Sequence, residues 1–529
     1  MNAANGGTLA IATTADVDNL FPPIVLSTQA RQATEMIYDY LAEVGRDMNV
    51  IGDAGFRPQL ARDWRWSSDS LAITFRLHER ARWHDGRPVR SDDVRFTHSV
   101  YTDKALGSSS GTQLGNIDSV TAPDSLTAVF WFRRRTPLQF FDATNQMMIL
   151  PRHVFGGLKG DSLRRAAASI RPTGSGRFRF VRWNRGTSLE LGADSLNYRG
   201  AAKLNRVIWS VSPSRATAAT RLFAGEVDLY ESMGRDGASQ AALHPHVRLV
   251  SLQGTDYVFM PFNTRDPLDR RKPHPIFASR EVRRALSMAI DRNALVRNVF
   301  DSLALPAIGP TVRAFPSTDN ALKQIPYDTA RAARTLDSLG WRRKSKDGIR
   351  QRNGRPLKFR LLVPSSSENR RRMAVLLQAQ FRRIGADVEL DQMEHATFVA
   401  RQGAREFDAA LSTFKLGSSA GALKETWGGA AARDTAGYNY GSWINTIFDA
   451  YVDSAMSAMD AGTSRRYYTA AYRIAIEDAP AIWLYEPLTV IGIHRRIKTG
   501  PMRADAWWVS LPEWHIPAAE QLPRDRLRQ

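Results

Sequence analysis

Ser279 to Pro310 reads SREVRRALSMAIDRNALVRNVFDSLALPAIGP. Val282, Ala285, Leu286, Ala289 and Ile290 recur at i, i+3, i+4, i+7 and i+8, the stripe of a helix laid on a core. Ser279 stands where an N-cap hydroxyl accepts from the free amides of a first turn. Asp291 is placed to cap a second helix carrying Leu295, Val296, Val299 and Phe300. The Pro306–Pro310 run then stops helix and continues as loop. These periodicities describe packing and carry no function alone.

Working outward, the chain alternates strand and helix. Thr8–Thr14 reads as a short strand, and Gln29–Leu41 as a helix through Ala33, Met36, Ile37, Tyr40 and Leu41. Leu71, Ile73, Phe75 and Leu77 alternate strictly, as one buried face of a strand does. Asp85-Gly86 supplies a tight turn, and Ser91 or Asp92 a cap for the helix beginning near Val94. Residues 116–132 suggest a hairpin turning at 122–125, and 179–191 another. Tyr327–Gly340 is a helix with a Gly stop. The segment 357–391 runs strand, helix, strand, the unit of a parallel sheet. Phe407–Phe414 is a strand, and 417–440, rich in Gly, Ala and Ser, is a long loop holding Trp427, Tyr438 and Tyr440. Two helices follow, the second ending before Pro480. Thr255–Asn263 and Ala481–Ile493 are candidate crossing strands, and the tail after Glu513 reads as polar surface chain.

Composition narrows the function classes. The 529 residues suffice for several domain-sized units and hold no cysteine, which removes thiol catalysis, thiolate metal sites and disulfides. Net charge is +20, yet 62 of the basic residues are arginine, spread along the whole chain. Short clusters such as Arg133–Arg135, Arg342–Lys346 and Arg370–Arg372 read as solvated faces, so no nucleic-acid partner is expected. The apolar run 481–493 contains Glu486 and is too short to span a bilayer. The first residues lack a basic and an apolar region, so the chain reads as a mature form without its leader. No G-x-S-x-G, H-E-x-x-H or Walker sequence occurs, and His84-Asp85 sits at turn spacing with no second histidine in register. The chain is expected to be no enzyme and to need no cofactor or metal.

Several phrases together carry a resemblance: VRRALSMAIDRNALV followed by PAIGP, WHDGRPVRSDDVRF at 83–96, Pro151-Arg-His-Val-Phe155, Pro172-Thr-Gly-Ser-Gly176 and Ala224-Gly-Glu-Val-Asp228. In this wording the chain resembles the extracytoplasmic solute-binding proteins of ABC importers, family 5, the dipeptide, oligopeptide and nickel-binding type. The resemblance runs from Asp16 to about Ile493. It implies an α/β, periplasmic-binding-protein-like, two-lobed fold with an extra subdomain, its lobes joined by two crossing strands. The expected division is 1–258 for lobe I, with an inserted subdomain at about 42–170, then 259–489 for lobe II and 490–529 returning to lobe I. The implied function is capture of a peptide-like or other polar small solute in the inter-lobe cleft. Delivery to a membrane permease and ATPase follows, by a monomer in the periplasm or at the cell surface. The alternative is a non-transport binding or signalling receptor of the same fold, acting on a protein, membrane or nucleic-acid partner.

Site expectations follow from the same wording. The 16–22 turn, Asp-Val-Asp-Asn-Leu-Phe-Pro, occupies the cleft edge in the family, which nominates Asp18, Asn19 and Phe21; Phe21 stands where the family has Asp. Asn263 ends the first crossing strand and Tyr485 lies in the second. In peptide-binding members a strand like Phe407–Phe414 leads to an aspartate that holds the ligand ammonium. Here Phe414, Lys415 and Leu416 stand in that register without an acid, and Glu425 and Asp408 are the candidate replacements. Arg371 and Arg372 match the family's carboxylate-holding arginine before a helix, or else a solvated helix start. Trp427, Tyr438 and Tyr440 are candidates to stack on a ligand, or to pack the loop.

Overall fold

Both helices of the 279–310 stretch form as their caps dictate. Arg280–Met288 starts behind Ser279, whose hydroxyl accepts from the Val282 amide, and Arg292–Phe300 behind Asp291, which accepts from the Ala294 amide. Each such cap is worth about 1 kcal/mol. The polar residues of the same stretch do more than face solvent. Arg283, buried, donates to the carbonyls of Phe277, Asp478 and Ala479. Arg292 donates to the carbonyl of Trp483 at 2.9 Å and to the Ser287 hydroxyl at 2.8 Å. Burial lowers both guanidinium pKa values to about 10. The two arginines thus tie this helix pair to the end of helix Ala461–Asp478 and to strand Ala481–His494.

The computed structural model describes residues 6–169, 171–343, 348–417, 422–434 and 437–525. The chain forms two compact units, one of residues 1–252 and 489–529, the other of 253–488. It passes from the first to the second at Leu252–Gln253 and returns at Leu488–Thr489.

In the first unit Thr8–Thr13 lies parallel to Arg206–Val211 on one side and to Leu229–Tyr230 on the other. Ser188–Ala193 and Phe178–Asn184 extend the sheet antiparallel, and Gly492 and Ile493 pair with Tyr230 and Leu229. A separate four-stranded sheet, in the order Ala61–Trp66, Ala72–Leu77, Thr127–Phe132, Ile117–Asp124, buries Phe75, Phe130 and Phe132. Phe140 packs on Trp64, Trp66 and Phe75, and each phenyl ring so buried contributes roughly 1.5–3 kcal/mol. The helix expected to reach Leu41 is Thr28–Ile37. It stops because the Tyr40 amide donates to the Gln59 side chain and the Tyr40 and Leu41 carbonyls accept from Leu60 and Ala61. The cap of helix Ser91–Tyr101 is also not the expected one. Asp93, third in the helix, accepts from the Arg90 amide, while its other oxygen takes the Arg152 amide at 2.8 Å.

The 172–176 segment is a turn closed on the first helix. Gly176 N–H donates to the Ile37 carbonyl, and a Cβ on Gly174 would lie 1.8 Å from that oxygen. His84 holds the turn: Nδ1 accepts from Gly174 N–H, which leaves Nε2 to donate to the Gly176 carbonyl at 2.9 Å. Asp85 pairs with His153 instead. The expected surface tail is tied in. Ile516 is buried, and Asp525 accepts from the Thr8 amide and pairs with Arg496.

In the second unit Asp256–Pro261 lies between Ser412–Lys415 and the 481–485 part of the long strand, with Ala304–Pro306 beyond. Lys358–Pro364 pairs in parallel with Asp387–Met393 across helix Glu368–Arg383, the expected strand–helix–strand unit. The stretch read as one strand, 407–414, divides. Ala409–Ala410 joins the parallel sheet, and Ser412–Lys415 the antiparallel one, with Leu411 fully buried at the change. The stretch read as a long loop carries two short helices, Ala422–Trp427 and Gly429–Arg433; 418–421 and 435–436 lie outside the described residues, as do 344–346 of the Arg342–Lys346 cluster.

Candidate ligand site

The antiparallel pairing in the second unit fixes the candidate site. Asp256 stands opposite Lys415, Tyr257 opposite Phe414 and Val258 opposite Thr413. On its other edge Val258 is opposite Tyr485. Leu416 N–H continues the ladder by donating to the Thr255 carbonyl at 2.8 Å. Gly254 permits a close crossing here, since a Cβ would meet the Pro487 carbonyl at 2.3 Å. Arg370 reaches this face from helix Glu368–Arg383, its guanidinium donating to the Thr413 hydroxyl. Ser367 caps the helix and sets that arginine in the first turn.

The electrostatics of the face are mixed. Burial raises the Asp256 carboxyl pKa while Lys415 and Arg370 pull against it. Burial lowers the Arg370 pKa, opposed by Tyr485 and Asp256. Burial likewise pushes the Tyr485 phenol up. Among the described residues no cation closes an ion pair on Asp256, and Lys415 is exposed. A half-buried carboxyl beside two cations, none of them locked to it, can accept a solute bearing both signs of charge.

An aromatic cluster lies on the other face of the same strands, since Phe414 and Tyr257 alternate with Lys415 and Asp256. Phe414 packs on Phe259 at 4.7 Å and faces Tyr440 at 6.2 Å, and Tyr440 meets Tyr438 at 6.2 Å. Tyr438 is 50% exposed and Tyr440 half-buried. Tyr485 is buried against Phe300 at 4.3 Å.

Several expected site residues have other duties. Trp427 is 3% exposed, donates to the Tyr257 hydroxyl at 2.9 Å and packs on Trp483, so it is core. Asn263 is fully buried; its amide donates to the carbonyls of Arg405 and Phe407 and its oxygen accepts from Arg265 N–H, leaving nothing for a ligand. Arg371 donates to the Ser365 carbonyl, and Arg372 pairs with Glu368 one turn back. Arg370, their neighbour, is the arginine that reaches the strands. Asp408 is occupied by His274 and the Arg360 amide. An acid, Asp256, stands across the strand from Lys415.

In the first unit, Asp18 accepts from the Leu26 and Ser27 amides, the Ser27 hydroxyl and Asn19. Burial works to raise its pKa, but these donors outweigh it and hold the carboxyl below the usual range. Asn19 donates to the Ile24 carbonyl and accepts from Phe21 N–H. Phe21 is buried on Phe155 at 5.1 Å. The three brace their own turn.

Residues 55–420 match the bacterial extracellular solute-binding proteins, family 5, over the family's middle region. The chain belongs to this family. It is 24% identical to the oligopeptide-binding protein AppA of Bacillus subtilis, over 96% of this chain and 92% of that protein. Among solved structures, the ABC transporter substrate-binding protein CtaP of Listeria monocytogenes superposes with a TM-score of 0.81 at 21% identity, covering 97% of this chain and 99% of that one. AppA, in complex with a nonapeptide, gives 0.74 at 22% identity, covering 97% and 99%. The α/β, two-lobed binding-protein fold of family 5 is thereby established. Among the described residues no helix is long and apolar enough to cross a membrane.

Proposed function

We propose that this family 5 protein is the solute-capturing component of an ABC-type importer and that its cargo is a peptide-like zwitterion. It acts as a monomer outside the cytoplasmic membrane, in the periplasm or at the cell surface, and hands its cargo to a membrane permease and ATPase. The observation that carries the reading is the pairing of Asp256 with Lys415 beside Arg370. A carboxylate and an ammonium on one solute would each find an opposite charge there. Tyr485 borders the same charges. Relatives of this chain include an oligopeptide-binding protein and a heme-binding protein, so family membership alone does not choose the cargo.

Native mass spectrometry of freshly purified protein, followed by denaturation and identification of the released molecule, tests this. A released peptide is the expected result. A neutral sugar or a metal chelate would overturn the peptide and keep the binding protein. For a protein purified empty, a thermal-shift screen of peptides decides, since ligand at 100 times its dissociation constant adds about 2.7 kcal/mol; no shift with any peptide would also overturn the cargo.

A further inference from the structure

Three histidines of the first unit stand against one another and share no residue with the site above. His244 stacks on Phe223 with ring centroids 4.4 Å apart, His246 meets His244 edge-on at 5.8 Å, and His494 meets His246 at 5.1 Å. All three are half-buried. His246 directly precedes strand Val247–Gln253, His494 closes strand Ala481–His494, and these two strands pair with each other. In them the chain leaves the first unit and re-enters it.

His246 and His494 differ in what they can do with a proton. His246 Nε2 lies 3.0 Å from the Phe223 carbonyl, so it carries hydrogen and donates whether the ring is neutral or charged. His494 Nδ1 accepts from the Arg496 amide at 3.2 Å, which fixes a neutral ring with its hydrogen on Nε2. A second proton would set N–H against N–H. The surroundings offer that proton no counter-charge. Arg495 donates to the Pro245 carbonyl, Arg248 to the Ile497 carbonyl and Arg524 to Asp228, so each neighbouring segment brings an arginine. The acids are already paired: Asp228 with Arg496 and Arg524, Asp525 with Arg496, and Glu226 with Arg221. Burial lowers the His494 pKa; His246, Arg496 and Arg524 act in the same sense, and Asp228 opposes them.

We propose that His494 is an acid-released latch: protonation displaces its ring from the Arg496 amide, and the hold of residues 494–497 on strand Val247–Gln253 and on residues 524–525 loosens with it. Arg496 transmits the change, because its guanidinium pins both Asp228 and Asp525. The folded pKa lies below the unfolded value near 6.5, so the stabilisation is complete above about 6.5 and is lost as pH falls through the folded pKa.

Hydrogen exchange of the full chain, read by mass spectrometry at about pH 7.5 and about pH 5 and corrected for the intrinsic rates, tests the latch. In the wild type, residues 247–253, 490–497 and 522–525 should exchange about tenfold faster at the lower pH after that correction. H494N, whose amide oxygen replaces Nδ1 for the Arg496 amide and takes up no charge, should lose this increment and match the wild type at the higher pH. H246Q, whose amide nitrogen still donates to the Phe223 carbonyl, removes one neighbouring charge in acid and should shrink the increment; it decides alone if H494N does not fold. No increment in the wild type, or an increment undiminished in H494N or, failing that variant, in H246Q, would overturn the proposal.

Discussion

Two carboxylates, each flanked by two cations, divide this molecule's uses of charge. Asp228 in the first unit is completely enclosed. It accepts from the Ala10 amide at 2.9 Å, from Arg496 at 2.7 and 2.9 Å, and from Arg524 at 2.8 Å, while Arg496 also pairs with Asp525 at 2.5 Å. Asp256 in the second unit is half-buried, and its two cations stand near without closing on it. Both oxygens of Asp228 are engaged, so that cluster stitches the N-terminal strand to residues 524 and 525. The charges around Asp256 are under-compensated, the condition in which a solute can still complete them.

The comparison can be broken at its closed end first. Asp228→Ala should cost about 3–5 kcal/mol in urea unfolding, because the buried Arg496 would keep only Asp525 as its acid and the Ala10 amide would lose its acceptor. A loss under 1 kcal/mol would mean that the network is solvated.

Asp142 sharpens the point, being a carboxyl with no ion pair among the described residues. Burial pushes its pKa up to about 7. Its folded pKa lies above its unfolded one, so stability is fullest at low pH and falls as pH rises from about 4 to about 7. The loss is at most a few kcal/mol, and D142N should remove this part of the pH dependence and raise the melting temperature at pH 8. Equal melting profiles of wild type and D142N between pH 5 and 8 would refute it.

At the open end, Lys415→Glu should weaken the recovered peptide about ten- to hundredfold by calorimetry, with stability nearly unchanged. Unchanged affinity would remove Lys415 from the site. The smallest effect separates the loop aromatics. Trp427→Phe orphans the buried Tyr257 hydroxyl and should cost about 1–3 kcal/mol of stability, whereas Tyr438→Ala should stay within about 0.5 kcal/mol.

Local chemistry was legible along the chain. Ser279 and Asp291 cap their helices because a cap needs only an oxygen three residues from a free amide. The 358–393 strand–helix–strand unit follows from periodicity. Charged pairs were not legible. Asp256 looks unrelated to Lys415 until strand pairing sets them opposite. Arg370 was hidden among three consecutive arginines, since only the phase of the helix against the strands decides which one reaches Thr413.

The sequence by itself determined where helices begin, which faces are apolar and to which family the chain belongs, because these depend on residues within a few turns of one another and on wording spread over the whole length. Tertiary structure alone decided which polar groups are already satisfied. Asn263, Trp427 and Asp18 look free on paper and are engaged in the fold, while Arg283 and Arg292 look like surface charge and are buried on carbonyls far along the chain. A hydrogen bond's second partner is fixed by packing, and function falls to the groups that packing leaves unmatched.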